Sequence, residues 1–125
     1  MDTSVLIDFF RKTKKENTFL YLLTKKYDNF AVSVITEFEI YAGSNESQIE
    51  FWNQFFQNAQ IIPFDSFSNQ SAVSIFKELK PKGQLIEIPD LFIAATAKAH
   101  GYKVATLNLK HFERVEGLEI VKIVE

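Results

Sequence analysis

Apolar residues recur along this chain with helical spacing in some stretches and as short dense runs in others. Residues 3–11, TSVLIDFFR, put Val5, Leu6, Phe9 and Phe10 on one stripe, which predicts an amphipathic helix. KKENT interrupts the stripe, and TFLYLLTKKY, residues 18–27, reads as a second helix. NFAVSV, residues 29–34, is short and β-branched and predicts a strand. Ser33 then stands as the cap of a helix running to Ala42, with Gly43 as its stop. ESQIEFWNQFFQNA, residues 46–59, is amphipathic through Ile49, Trp52, Phe55, Phe56 and Ala59, and IIPF after it predicts a strand. Residues 66–83 form a helix with Ala72, Ile75, Phe76 and Leu79 inward, ended by Pro81 and Gly83. Residues 89–100 form another, closed by Gly101, and KVATL (103–107) and EIVKIV (119–124) complete the strands.

Short strands alternating with helices imply an α/β fold: a mainly parallel sheet covered by helices on both faces, with any site at the carboxyl ends of the strands. No repeat, linker or low-complexity tract divides the chain, so its 125 residues read as a single domain, 1–125. Hydrophobic residues make up 46%, enough for a sizeable core. With no Cys, disulfides and thiolate metal sites are excluded. The apolar runs fall short of the ~20 residues of a membrane helix. The start, MDTS, lacks a basic-then-apolar leader, so the expectation is a soluble cytoplasmic protein with no membrane partner. A net charge of −2 gives a nucleic-acid partner no support from bulk charge, although a local patch can act against the sum. Thirteen Phe are many for this length and supply surface for an interface as well as a core.

Helical phase separates the acids. In VITEFEIYAG the stripe Ile35, Phe38 and Ala42 is read as buried, and Glu39 lies on it, whereas Glu37 is turned about 200° from Ile35. A carboxylate on a buried stripe needs a partner. Asp90 repeats the pattern, sharing a stripe with Ile93, Ala94 and Ala97 at the head of its helix. Asp2 precedes the first helix and closes a very short first strand, and Asn108 follows the strand VATL. Each has a plainer reading. Asp2 serves as an N-cap, Glu39 as the partner of a structural Lys, Asp90 as a first-turn acid favoured by the helix dipole, and Asn108 as a turn residue. Asp8 lies off the stripe and pairs with Lys12, and Glu87 either supplements the site or is a solvated loop acid.

The stretches DTSVLID at 2–8, T-x-x-E-x-x-x-G as Thr36, Glu39 and Gly43, D-x-x-I-A-A-T-A at 90–97, and T-x-N-x-x-H-F-E-R at 106–114 followed by VEGL occur in that order over nearly the whole chain. In them the sequence resembles the PIN-domain family, and within it the VapC-like toxins of bacterial type II toxin–antitoxin systems. The resemblance implies a three-layer α/β/α domain and a metal-dependent ribonuclease whose acids fall on Asp2, Glu39 and Asp90. The family's fourth position, often Asp, falls on Asn108, which lowers the charge of the site. Ser4 and Thr106 are implied as neutral residues lining it. Family members usually carry several apolar residues before the first Asp. Here only Met1 precedes it, so either the first strand is truncated or the protein begins upstream.

Two carboxylates about 4 Å apart repel by roughly 4 kcal/mol at an effective dielectric near 20. Converging acids therefore take up protons or a divalent cation. An all-oxygen set favours Mg²⁺ or Mn²⁺ over zinc. The implied reaction is hydrolysis of RNA by a metal-activated water, leaving a 5′-phosphate and a 3′-hydroxyl. Cations must rim an acidic pocket that accepts RNA. Lys110, His111 and Arg114 are the first candidates, and Lys12, Lys14 and Lys15 come next. The resemblance also implies a cognate small antitoxin, lying in an apolar groove near Phe9, Phe10, Phe19, Tyr21 and Leu22, and a homodimer. The rival readings are a catalytically weak or inactive PIN-like module that only binds RNA or protein, and a phosphotransfer α/β domain. Ser4 stands against a dehalogenase-like enzyme, which needs a second acid there, and Asp65 lacks the flanking acids of a receiver domain.

Overall fold

The computed structural model describes residues 1–122. Helix α1 (Thr3–Arg11) is followed by a 3₁₀ turn at Lys15–Asn17, helix α2 (Phe19–Lys26) and strand β1 (Ala31–Ser33). Helices α3 (Val34–Ala42) and α4 (Glu46–Gln57) lead to strand β2 (Gln60–Ile62), and helices α5 (Ser66–Leu79), α6 (Ile88–His100) and α7 (Leu109–Phe112) complete the order. Capping residues account for most of the helix starts. Asp2, Thr18, Ser33, Asn45 and Asp65 each accept a backbone N–H from the first turn, and Asn45 with Gln48 forms a reciprocal capping box. Helix α6 ends at Gly101, whose φ of 75° is a left-handed conformation that glycine adopts without strain.

β1 and β2 pair in parallel, Val32 opposite Ile61. The expected strand at 103–107 narrows to one parallel bridge, Val104 to Ile120, with Val104 N–H donating to Glu119 O at 2.9 Å and Val121 N–H to Val104 O at 2.8 Å. The predicted strand 119–124 runs past this bridge into residues outside those described. Met1 and Asp2 form no assigned strand, yet they tie the two pairs together. The Met1 amine donates to Ala31 O at 2.8 Å and Asp2 N–H to Ala105 O at 3.0 Å.

The core has two parts separated by this layer. One joins α5, α6 and α7 through Ile75, Leu79, Leu91, Ala94, Val104 and Phe112. The other joins α1, α2 and α4 through Val5, Leu6, Leu23, Val32, Trp52 and Ala105. Neighbouring residues Val104 and Ala105 thus face opposite cores, as strand alternation requires. The result is an α/β domain with helices on both sides of a small parallel sheet, as expected.

The phase of α3 differs from the expectation. Phe38 is 69% exposed and Ala42 is exposed, while Thr36 and Ile40 are buried. The buried stripe is set by the i, i+4 pair Thr36 and Ile40, because Ile40 packs with Val32 and Trp52 in the second core. Ile35, the remaining member of the expected stripe, is half-buried against the first core, so only Phe38 and Ala42 of that stripe fall on the open side of the helix. Helix α7 was also not anticipated, since four residues are too few to show a period.

Candidate active site

Asp2 is the residue around which the site is arranged. It is 1% exposed. Its Oδ1 accepts the Ser4 N–H at 2.9 Å and the Ser4 hydroxyl, and its Oδ2 accepts the Thr106 hydroxyl at 2.7 Å. Both hydroxyls are themselves anchored, for Ser4 Oγ accepts Leu107 N–H and Thr106 Oγ1 accepts Asn108 N–H, each at 2.9 Å. A hydroxyl has one proton, and here both protons go to Asp2, so the segment after Ala105 fixes the sense of the network. Burial pushes the Asp2 carboxyl pKa up, the Ser4 and Thr106 donors oppose it, and the charge of Asp90 adds to the upward push, which prevails.

Asp90 lies in the first turn of α6, above the buried Ile93, Ala94 and Ala97. Its Oδ2 is 2.9 Å from Nδ1 of His111. His111 is carried by α7, which is pinned to the core by Phe112. Glu39, half-buried on α3, accepts the Thr3 hydroxyl on Oε1 at 2.7 Å, and Thr36 Oγ1 lies 3.4 Å from the same hydroxyl.

Of the expected residues, the fold brings Asp2, Ser4 and Thr106 into direct contact, with Asp90 near enough to act on Asp2 through its charge. Glu39 belongs to an adjoining group through Thr3, the residue after Asp2. Each acid is engaged by its own donor. Among the described residues no three His, Asp or Glu side chains are arranged to hold a metal ion by themselves. Asn108 contributes its backbone N–H to Thr106 and carries an exposed side chain at the start of α7. Glu87 is an exposed helix-capping position with no side-chain cap bond.

The cations divide. Lys110 is exposed on α7. Arg114 instead donates to the carbonyl of Leu85 at 3.2 Å, tying down the loop before α6. Lys12 pairs with Asp8 at 2.9 Å, and Lys15 donates to the carbonyls of Phe9 and Phe10 at the end of α1. His111, expected among the RNA-facing cations, makes its contact with Asp90. Two contacts leave little trace in the sequence. Thr3 on Glu39 has a weak signal in DTS, and His111 on Asp90 has none, because their 21-residue separation carries no period.

A groove of about 130 Å³ opens between α1, α3 and α4. Ile7, Phe10, Arg11, Glu39 and Trp52 line it. Of the residues expected to line a groove, Phe10 does so while also packing against the second core with Phe9 and Phe19, and Tyr21 and Leu22 do not line this groove. Phe10 sits within an aromatic cluster, 5.3 Å from Trp52 between ring centroids.

The chain is thus an α/β domain with a buried Asp at the head of its first helix and a second acid at the head of α6. The PIN-domain family model matches residues 1–118, and the chain belongs to this family. It is 37% identical over 123 residues to ribonuclease VapC1 of Methanocaldococcus jannaschii, covering 96% of this chain and 84% of that one. Among solved structures it is similar to the DNA-bound VapBC of Salmonella typhimurium, with a TM-score of 0.84 and 26% identity over 96% of this chain and 93% of that one. It is also similar to VapBC2 of Rickettsia felis bound to a promoter DNA fragment, with a TM-score of 0.81 and 26% identity over 96% and 94%.

Proposed function

We propose that this protein is a metal-dependent ribonuclease that hydrolyses RNA phosphodiester bonds, and the toxin of a toxin–antitoxin pair. Membership of the PIN family and the likeness to a VapC ribonuclease and to VapBC complexes support the class. The observation that carries the site is the buried Asp2 carboxylate, held on both oxygens by Ser4 and Thr106, and the charge of Asp90 adds to the upward push on its pKa. Such a pair, all oxygen and short of positive charge, suits Mg²⁺ or Mn²⁺. Mg²⁺ in particular takes one or two carboxylates from a protein and completes its shell with water and substrate phosphate. Two acids therefore suffice where three do not ring an ion. Asp2 and Asp90 would hold the ion, and Glu39 would join through water, its Oε1 being engaged by Thr3. When bound, the ion supplies Lewis-acid polarisation of the phosphate and a water of lowered pKa.

The chain's own residues do the rest. Ser4 and Thr106 hold both oxygens of Asp2 in place, so its geometry does not relax when RNA arrives. Glu39 retains Oε2 to orient an attacking water. Lys110 offsets the repulsion between the acids and the RNA backbone, and Asn108 presents a neutral amide where a fourth acid would add charge. The groove beside Glu39, apolar with Arg11 at its edge, suits a segment of a small antitoxin. Exposed Phe38 and Phe67 offer apolar surface to a second copy in a homodimer.

The test is cleavage of a labelled RNA pool by the purified chain with Mg²⁺ or Mn²⁺, with chelator, and in Asp90→Asn and Glu39→Gln. Metal-dependent cleavage lost in both variants supports the reading. Cleavage unchanged in both rejects the site. RNA binding without cleavage by the wild type points to the binding module instead.

A further inference from the structure

We infer that His111 is a positioning residue for Asp90, holding one carboxylate oxygen so that the other is presented to a divalent ion. The inference rests on the ion site proposed above. Three observations carry it. His111 Nδ1 lies 2.9 Å from Asp90 Oδ2, a normal hydrogen-bond length, and the acceptor is a carboxylate, so Nδ1 carries the proton. The imidazole side chain is 39% exposed against 16% for the Asp90 side chain, so the carboxylate is the more enclosed of the two and the ring is the more open to solvent. The ring is also not free to drift, because the next residue, Phe112, is fully buried in the core shared by α6 and α7. Asp90 and the group that orients it therefore stand on two elements locked by the same packing.

The physical consequence concerns Asp90 more than His111. A carboxylate side chain in the first turn of a helix has more than one staggered rotamer available. The hydrogen bond to Oδ2 selects one and leaves Oδ1 without that donor. It also offsets part of the repulsion between Asp90 and Asp2. Orienting partners of this kind, one bond removed from the ion, typically govern metal affinity by 10–100-fold, a range of about 1.4–2.7 kcal/mol. The second histidine supplies a control. His100 contacts Asp65 Oδ2 at 2.9 Å through its other ring nitrogen, Nε2, at the head of α5.

The experiment is Mn²⁺ titration of the full chain, read by the electron paramagnetic resonance of the free ion. Wild type is compared with His111→Ala, His111→Asn, His111→Gln and His100→Ala, each checked for folding by its thermal midpoint. An Asn side chain places its amide N–H near the position of Nδ1, and Gln places it near Nε2. The expected result is Mn²⁺ affinity weakened about 10–100-fold in His111→Ala, recovered in His111→Asn, still weak in His111→Gln, and unchanged in His100→Ala. Equal affinity in His111→Ala and wild type would overturn the inference. So would an Asn variant as weak as the Ala variant. Failure of the wild type itself to bind Mn²⁺ would remove the ion site, and this role for His111 with it, a result distinct from the other two.

Discussion

Thr106 donates a 2.7 Å hydrogen bond to Oδ2 of Asp2, 104 positions away, while its oxygen accepts the N–H of Asn108 at 2.9 Å. One hydroxyl thus joins the first acid of the site to the segment that carries α7. Thr106→Val keeps the shape and removes both bonds. Thr106 is 2% exposed, so the Asn108 N–H and one Asp2 oxygen would lose a partner in a largely dry place. The expected cost is about 1–3 kcal/mol in urea unfolding, together with roughly tenfold slower RNA cleavage as Asp2 loses an orienting donor.

Asp90→Asn is expected to stabilise the protein while abolishing cleavage. The amide oxygen still accepts from His111, but the charge that disfavours the Asp2 carboxylate is gone. Relief at Asp2 and loss of a first-turn acid that the α6 dipole favours act in opposite directions, so a small net gain in thermal midpoint is expected at neutral pH. The raised Asp2 pKa means the folded state holds its proton to higher pH than the unfolded chain does. The penalty is therefore absent at low pH and grows as pH rises through the folded pKa. The gain in Asp90→Asn should accordingly shrink on acidification toward pH 4, which melting curves across pH would read.

Asp65 has the opposite sign. The Ser68 N–H lowers its pKa most, and the His100 contact adds to the lowering. A depressed carboxylate contributes stability above its unfolded pKa, near 3.9, and loses it as pH falls through the folded value. Asp65→Asn retains an N-capping side chain but not the charge. Its stability is expected to fall less than that of the wild type between about pH 5 and pH 2, measured by urea midpoints.

The phase of α3 gives a separate test. Phe38 is 69% exposed and Ile40 only 5%. Phe38→Ser is expected to change the unfolding free energy by no more than about 0.5 kcal/mol, whereas Ile40→Ala should cost about 2–5 kcal/mol. If Phe38 serves a homodimer, the same Ser variant lowers the apparent mass in analytical ultracentrifugation.

Much of the fold was legible because its signals are local. Ser33 as a cap, Gly101 as a stop and the Ile93, Ala94, Ala97 stripe all act within a turn or two of chain, and each stands where it was expected. Ser4 and Thr106, neutral residues that the sequence places beside the acids, bond Asp2. What was not legible depends on packing between distant segments. Phe38 and Ile40 are both apolar, and only the neighbours Val32 and Trp52 decide which of them is buried. The 103–107 segment has strand composition but pairs at one residue, Val104. Arg114 reads as a free cation in sequence, yet a loop carbonyl 29 positions away takes its guanidinium.

The central claim is that Asp2, at the head of α1, and Asp90, in the first turn of α6, share one divalent ion. Anomalous diffraction from crystals of the wild-type chain soaked in Mn²⁺ tests it directly. The account predicts one strong peak about 2.0–2.2 Å from an oxygen of each of Asp2 and Asp90, lost in Asp90→Asn crystals. A peak bound elsewhere, or none at these two carboxylates at saturating Mn²⁺, would contradict it.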